Sequence, residues 1–118
     1  MKRITAEVFS TAHALRRFKK IAKLSAQGEA VEPILGFDSM AELASLLSVK
    51  RIELLRFVAE HPGMSIRSLA VSLERDYKRV HTDVSELAER GLIDRDADGK
   101  LVAPFDEIVI RAPLRAAA

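Results

Sequence analysis

The chain has 118 residues, 48% of them apolar, a net charge of +2, no cysteine and no tryptophan. That length is one domain with a single core, and the apolar share excludes a disordered chain. The lack of cysteine excludes disulfides and thiolate-held metals. No window offers the roughly 18 uninterrupted apolar residues of a membrane span. Lys2 and Arg3 are not followed by the apolar run of a signal peptide. The expectation is a soluble, cytoplasmic protein with no membrane partner. Aromatic residues make up only 5%, so Leu, Ile, Val and Ala must build the core, a composition that favours helices.

The first predicted element is a helix over about 6–26, preceded by a short extended segment at Lys2–Thr5. Val8, Ala12, Leu15, Phe18 and Ala22 fall on one stripe at spacings of three and four, and Gln27-Gly28 is the stop. Residues 1–28 hold seven Lys/Arg against Glu7 alone, a local charge of +6. This basic run is open to three readings: a solvated helix face, a phosphate-contacting arm, or a surface for an acidic partner. Residues 27–38, with Gly28, Pro33 and Gly36, read as a linker that Val31, Ile34, Leu35 and Phe37 tack onto the core. Asp38 or Ser39 caps a short helix at Met40–Leu47, and Ser48 caps a second at Val49–Glu60, which His61-Pro62-Gly63 ends.

Ser65 caps a helix at Ile66–Leu73, with Ile66, Leu69, Ala70 and Leu73 inward. Glu74-Arg75 is a tight turn, and Asp76 caps a helix at about Tyr77–Arg90. On that helix Tyr77, Val80, Val84, Leu87 and Ala88 form a core stripe. Lys78, His81, Thr82 and Ser85 form a polar stripe roughly 120° away. Gly91 stops the helix. Leu92–Arg95 and Lys100–Ala103 are short strands around an Asp98-Gly99 turn, Phe105–Arg111 is a further candidate strand, and residues 112–118 are a frayed tail.

This order predicts a mainly α fold with a small β wing: a winged helix-turn-helix with an extra N-terminal helix. The expected organisation is an N-terminal helix and linker over 1–37, the winged unit over 38–111, and the tail. A helix that reads DNA needs donors and acceptors near its N-terminus, on a face the core leaves free. Lys78, His81, Thr82 and Ser85 meet that need, with Arg79 and the Tyr77 hydroxyl placed for the backbone. Ser65 and Arg67 begin the preceding helix, where such helices cross phosphates, and Arg95 and Lys100 are the cations of the wing. The acids Asp94, Asp96 and Asp98 oppose a wing contact, and residues 38–118 together carry −2, so any phosphate attraction must be local.

No catalytic constellation occurs, and no cofactor is expected. His13, His61 and His81 are scattered and suggest no metal site. Asp94, Asp96 and Asp98 alternate like a calcium loop but lack its glycine and its distal glutamate.

Four segments carry a family resemblance: F-D-S-M-A-E-L-A-S-L-L-S-V-K-R-I-E-L-L-R, S-I-R-S-L-A, R-D-Y-K-R-V-H-T-D-V-S-E-L-A-E-R-G-L-I and V-A-P-F-D-E-I-V-I. With them the chain resembles the small stand-alone winged-helix regulators of bacteria and archaea, relatives of the multiple-antibiotic-resistance regulators. Members similar to it are often the antitoxin of a toxin–antitoxin pair. The resemblance implies double-stranded DNA as a partner, a homodimer, autoregulation and a toxin protein partner. It also implies recognition positions at Lys78, Arg79, His81, Thr82 and Ser85. Two functions follow as expectations. One is a sequence-specific DNA-binding regulator, an autorepressing antitoxin. The other is a protein-interaction module that inhibits a partner toxin enzyme, with DNA binding secondary or absent.

Overall fold

The computed structural model describes residues 1–8, 11–28 and 32–114, and within the first helix the side chains from residue 15 onward. In chain order the elements are β1 (Arg3–Val8), α1 (Thr11–Ala26), β2 (Ile34–Phe37), α2 (Met40–Leu46), α3 (Val49–Glu60), α4 (Ile66–Ser72), α5 (Tyr77–Glu89), β3 (Asp94–Arg95), β4 (Leu101–Val102) and β5 (Glu107–Arg111). The expected contact of Val31, the Ala12 side chain and the tail beyond residue 114 lie outside the described residues. The chain forms two compact units, one of Met1–Lys2 with Leu46–Asp106 and one of Arg3–Ser45 with Glu107–Ala118.

The first unit is a helix-turn-helix with a wing. Serine and aspartate hydroxyls and carboxylates start its helices by taking otherwise orphaned amides. Ser48 Oγ accepts from Arg51 N (3.3 Å), Ser65 Oγ from Ser68 N (3.1 Å), and Asp76 Oδ2 from Arg79 N (3.2 Å). The core joins Leu54, Leu55 and Val58 of α3, Leu69 and Ala70 of α4, Val80, Val84 and Leu87 of α5, and Leu92, Ile93 and Leu101 of the wing. Each fully buried Leu or Val among them contributes about 1.5–3 kcal/mol. Between α4 and α5 the chain reverses through Glu74, whose φ of 53° is left-handed. Gly91 follows α5 with φ 78°, the conformation that ends helices and that glycine takes without strain. β3 and β4 pair antiparallel, Asp94 opposite Val102 and Arg95 opposite Leu101. Leu101 N also donates to Met64 O (2.9 Å), which ties the wing to the residue before the Ser65 cap.

The second unit holds a three-stranded sheet, ordered β2-β1-β5, in which both pairings are parallel. The segment expected to begin a helix at about residue 6 is strand through Val8, and the helix starts at Thr11. The expected linker contains β2, and Phe105–Arg111 yields β5, which pairs with β1. A βαβ unit of this kind buries its central strand, and Ile4, Ala6 and Glu7 of β1 are all buried.

Glu7 explains why the apolar stripe of α1 is not its buried face. Its carboxylate is 1% exposed, and Arg17 of α1 (2.9 Å) and Arg111 of β5 (3.5 Å) neutralise it. A buried charge is tolerated only when paired, so α1 turns Arg17 inward, with Ile21 and Leu24 half-buried on the same stripe. Leu15 and Phe18 of the apolar stripe are then outward, 58% and 73% exposed, and Ala22 is exposed with them.

Candidate nucleic-acid interface

The site is built on α5, whose two faces separate cleanly. Val80, Val84 and Leu87 are buried, whereas Lys78, Arg79, His81, Thr82 and Ser85 are all exposed. The polar stripe foreseen from the wheel is therefore solvent-facing. Thr82 Oγ1 donates to Lys78 O within the helix (3.1 Å), so its hydroxyl can act toward a base only as an acceptor, through its two lone pairs.

Tyr77 departs from the expectation of a core ring. It is 43% exposed because it occupies the first position of α5, where no preceding turn covers it. Its ring lies 5.2 Å beneath the Arg67 guanidinium and 6.0 Å from the His81 ring. The structure thus brings Arg67, Tyr77 and His81 together across the starts of α4 and α5. A guanidinium held over an aromatic face keeps its N–H edge free for a phosphate oxygen. Ser65 is half-buried, and its hydroxyl both caps α4 and donates to Ser68 Oγ (3.0 Å). It positions α4 more than it offers a free donor.

The acids of α5 are turned to another task. Asp83 accepts from Arg51 Nε of α3 (3.0 Å) and from Arg75 Nη2 of the α4–α5 turn (2.7 Å), and all three side chains are between 12% and 16% exposed. Arg51 also pairs with Glu86. Burial alone would lower the Arg51 pKa, but the hydrogen bonds and charges of Asp83 and Glu86 outweigh it and hold the guanidinium above its ordinary value. Asp83 and Glu86 are paired in this way with Arg51 and Arg75, which leaves Arg67, Lys78 and Arg79 against Glu74 and Asp76 around the start of α5, within a unit that is not basic overall. The Arg51–Asp83–Arg75 cluster is not legible in the sequence: Arg51 lies 32 residues before Asp83, and the wheel puts Asp83 on neither the core stripe nor the polar stripe of α5.

In the wing, Arg95 Nη1 donates to Gly99 O (3.1 Å), so its guanidinium braces the turn. Lys100 is exposed. Asp96 is part of the turn's frame: its Oδ1 accepts from Asp98 N and Lys100 N, both at 2.9 Å. Asp96→Ala should therefore loosen the wing tip and cost about 1 kcal/mol. Hydrogen exchange at the Asp98 and Lys100 amides reads this directly; unchanged protection would contradict the framing role. Among the described residues no group of three or more His, Cys, Asp or Glu could hold a metal ion. No helix among them is long and apolar enough to cross a membrane.

A family model, HVO_A0114, matches residues 46–110, more than half of the chain and nearly all of the winged unit. The chain belongs to the HVO_A0114 family. The match spans every expected DNA-contacting position, from Ser65 to Lys100, and ends inside β5 of this family member. Among solved structures, the multiple antibiotic-resistance repressor MarR from Listeria monocytogenes 4b F2365 is similar, with 20% identity and a TM-score of 0.47. The likeness covers 78% of this chain and 60% of the length of that repressor. No curated protein matches.

Proposed function

We propose that this chain is a sequence-specific, DNA-binding transcription regulator without enzymatic activity, whose α5 enters the major groove. The observation that carries the reading is the exposed stripe Lys78, His81, Thr82 and Ser85 on a helix whose opposite stripe is buried. Lys78 is suited to guanine O6 and N7, and Thr82 to a base edge or a thymine methyl. Arg67, Arg79 and the Tyr77 hydroxyl serve the backbone, with Lys100 reaching phosphates beside the wing. One recognition helix reads few base pairs, so the regulator acts as a homodimer on paired half-sites.

The finer reading is an autorepressing antitoxin. It is supported by the sequence blocks quoted above and by one observation on α1. Its outward face mixes the exposed Leu15 and Phe18 with Arg16, Lys19, Lys20 and Lys23. Apolar groups among cations suit an acidic protein partner, so toxin binding is assigned to α1 and DNA binding to α5. A reporter gene behind the chain's own upstream DNA tests the regulatory reading. The protein supplied in trans should silence the reporter, and Phe18→Glu should leave that silencing intact. A reporter indifferent to the protein would remove autorepression.

A further inference from the structure

We infer that the free edge of β5 is a self-pairing surface, on which a second copy of this chain adds its own β5 antiparallel to make one six-stranded sheet. β5 is an edge strand: it pairs with β1 on one side, and no described residue pairs with the other. Its sequence, Glu107-Ile108-Val109-Ile110-Arg111, has no proline, lysine or bulge inside it, and its two charges, one of each sign, sit at its ends. Ile110 is 50% exposed there.

The choice of occupant comes from charge. The segment is a palindrome in character, acid–apolar–apolar–apolar–base. An antiparallel pairing centred on Val109 sets Glu107 opposite the partner's Arg111, Ile108 opposite the partner's Ile110, and Val109 opposite the partner's Val109. Opposite charges and β-branched pairs face each other at every position, the arrangement that stabilises antiparallel strands. The rows across the sheet extend the pattern. Within one chain Arg3 is in register with Glu107 and Glu7 with Arg111, and both are ion pairs, at 3.8 Å and 3.5 Å. Glu32 adds to the outer side of Arg3 at 3.3 Å. In the paired sheet one row becomes Glu32, Arg3, Glu107, the partner's Arg111 and the partner's Glu7, alternating in sign throughout. The symmetry axis generates the second row. The other edge, β2, reads Ile34-Leu35-Gly36-Phe37; it carries no charge to set a register, which is why β5 is chosen. This pairing identifies the surface of the homodimer proposed above, and it is tested without DNA, so that its failure would leave the DNA reading standing.

The experiment is sedimentation velocity on the full chain over a concentration series. Wild type should be a dimer. Glu107→Lys places like charges opposite the partner's Arg111 at both ends, and Arg111→Glu does the same against the partner's Glu107. Each variant alone should therefore weaken the dimer by about tenfold or more. Mixed in equal amounts the two variants restore opposite charges in both rows, so native mass spectrometry should find the heterodimer preferred over either homodimer. Circular dichroism establishes that each variant is folded. A monomeric wild type, a dimer untouched by Glu107→Lys, or two folded variants that stay monomeric when mixed would each overturn the proposal. Arg111 also neutralises the buried Glu7, so if Arg111→Glu fails to fold, Glu107→Lys decides alone.

Discussion

Asp83→Ala should lower the stability of the helix-turn-helix unit by about 3 kcal/mol, among the largest effects of any polar substitution in the chain. Asp83 is the shared acceptor for Arg51 and Arg75, and its removal takes an ion-pair partner from two guanidiniums that are only 12% and 16% exposed. Arg51 would keep Glu86. Arg75 would be left with little, since its Nη1 already has no partner among the described residues. The estimate lies at the low end for a broken buried ion pair because of that residual exposure and that remaining partner. Urea unfolding gives the number. Replacing Asp83 and Arg75 together by apolar residues should recover part of the loss, because the guanidinium left without its carboxylate is then gone. The raised Arg51 pKa has a defined consequence. Its stabilisation is fully present below the ordinary guanidinium value and is lost only as pH rises through the higher folded one. Arg51 itself therefore adds no pH dependence between about pH 6 and 9. A loss below about 0.5 kcal/mol would show that the cluster does not hold α3, the turn and α5 together.

Lys78→Ala combined with Thr82→Ala should reduce affinity for the specific site by about a hundredfold or more, at one to three kcal/mol per lost base contact. Both side chains are exposed, and alanine is at least as good a helix former as either. The melting temperature should therefore not fall. Binding to unrelated DNA should weaken far less, since only one cation is lost from the phosphate field. Retained operator affinity in a folded double variant would move recognition away from α5.

The helical half of the molecule was readable because its signals are local. Ser48, Ser65 and Asp76 are caps at the starts of α3, α4 and α5, and each does accept a backbone amide three residues on. The spacing of Val80, Val84 and Leu87 defines the buried stripe of α5 without reference to anything distant. The parallel sheet was hidden for the opposite reason. β1 and β5 are separated by most of the chain, and neither shows the long apolar run that marks a buried strand. The central strand carries Glu7 instead, whose burial depends on Arg17 and Arg111. That one carboxylate also holds Arg17 of α1 inward, so the apolar stripe read from periodicity is not the buried face. At the candidate site the exposed stripe was legible. The stacking of Arg67 on Tyr77 and the neutralisation of Asp83 were not, because both join residues of different elements.

The central claim is that the exposed face of α5 reads a DNA sequence. Fluorescence anisotropy of the purified protein with its own upstream DNA and with a scrambled duplex, at two salt concentrations, tests it most directly. The account predicts a preference for the upstream DNA that survives the higher salt, because base contacts add to the phosphate attraction that salt screens. Equal binding to both duplexes, vanishing together as salt rises, would contradict it.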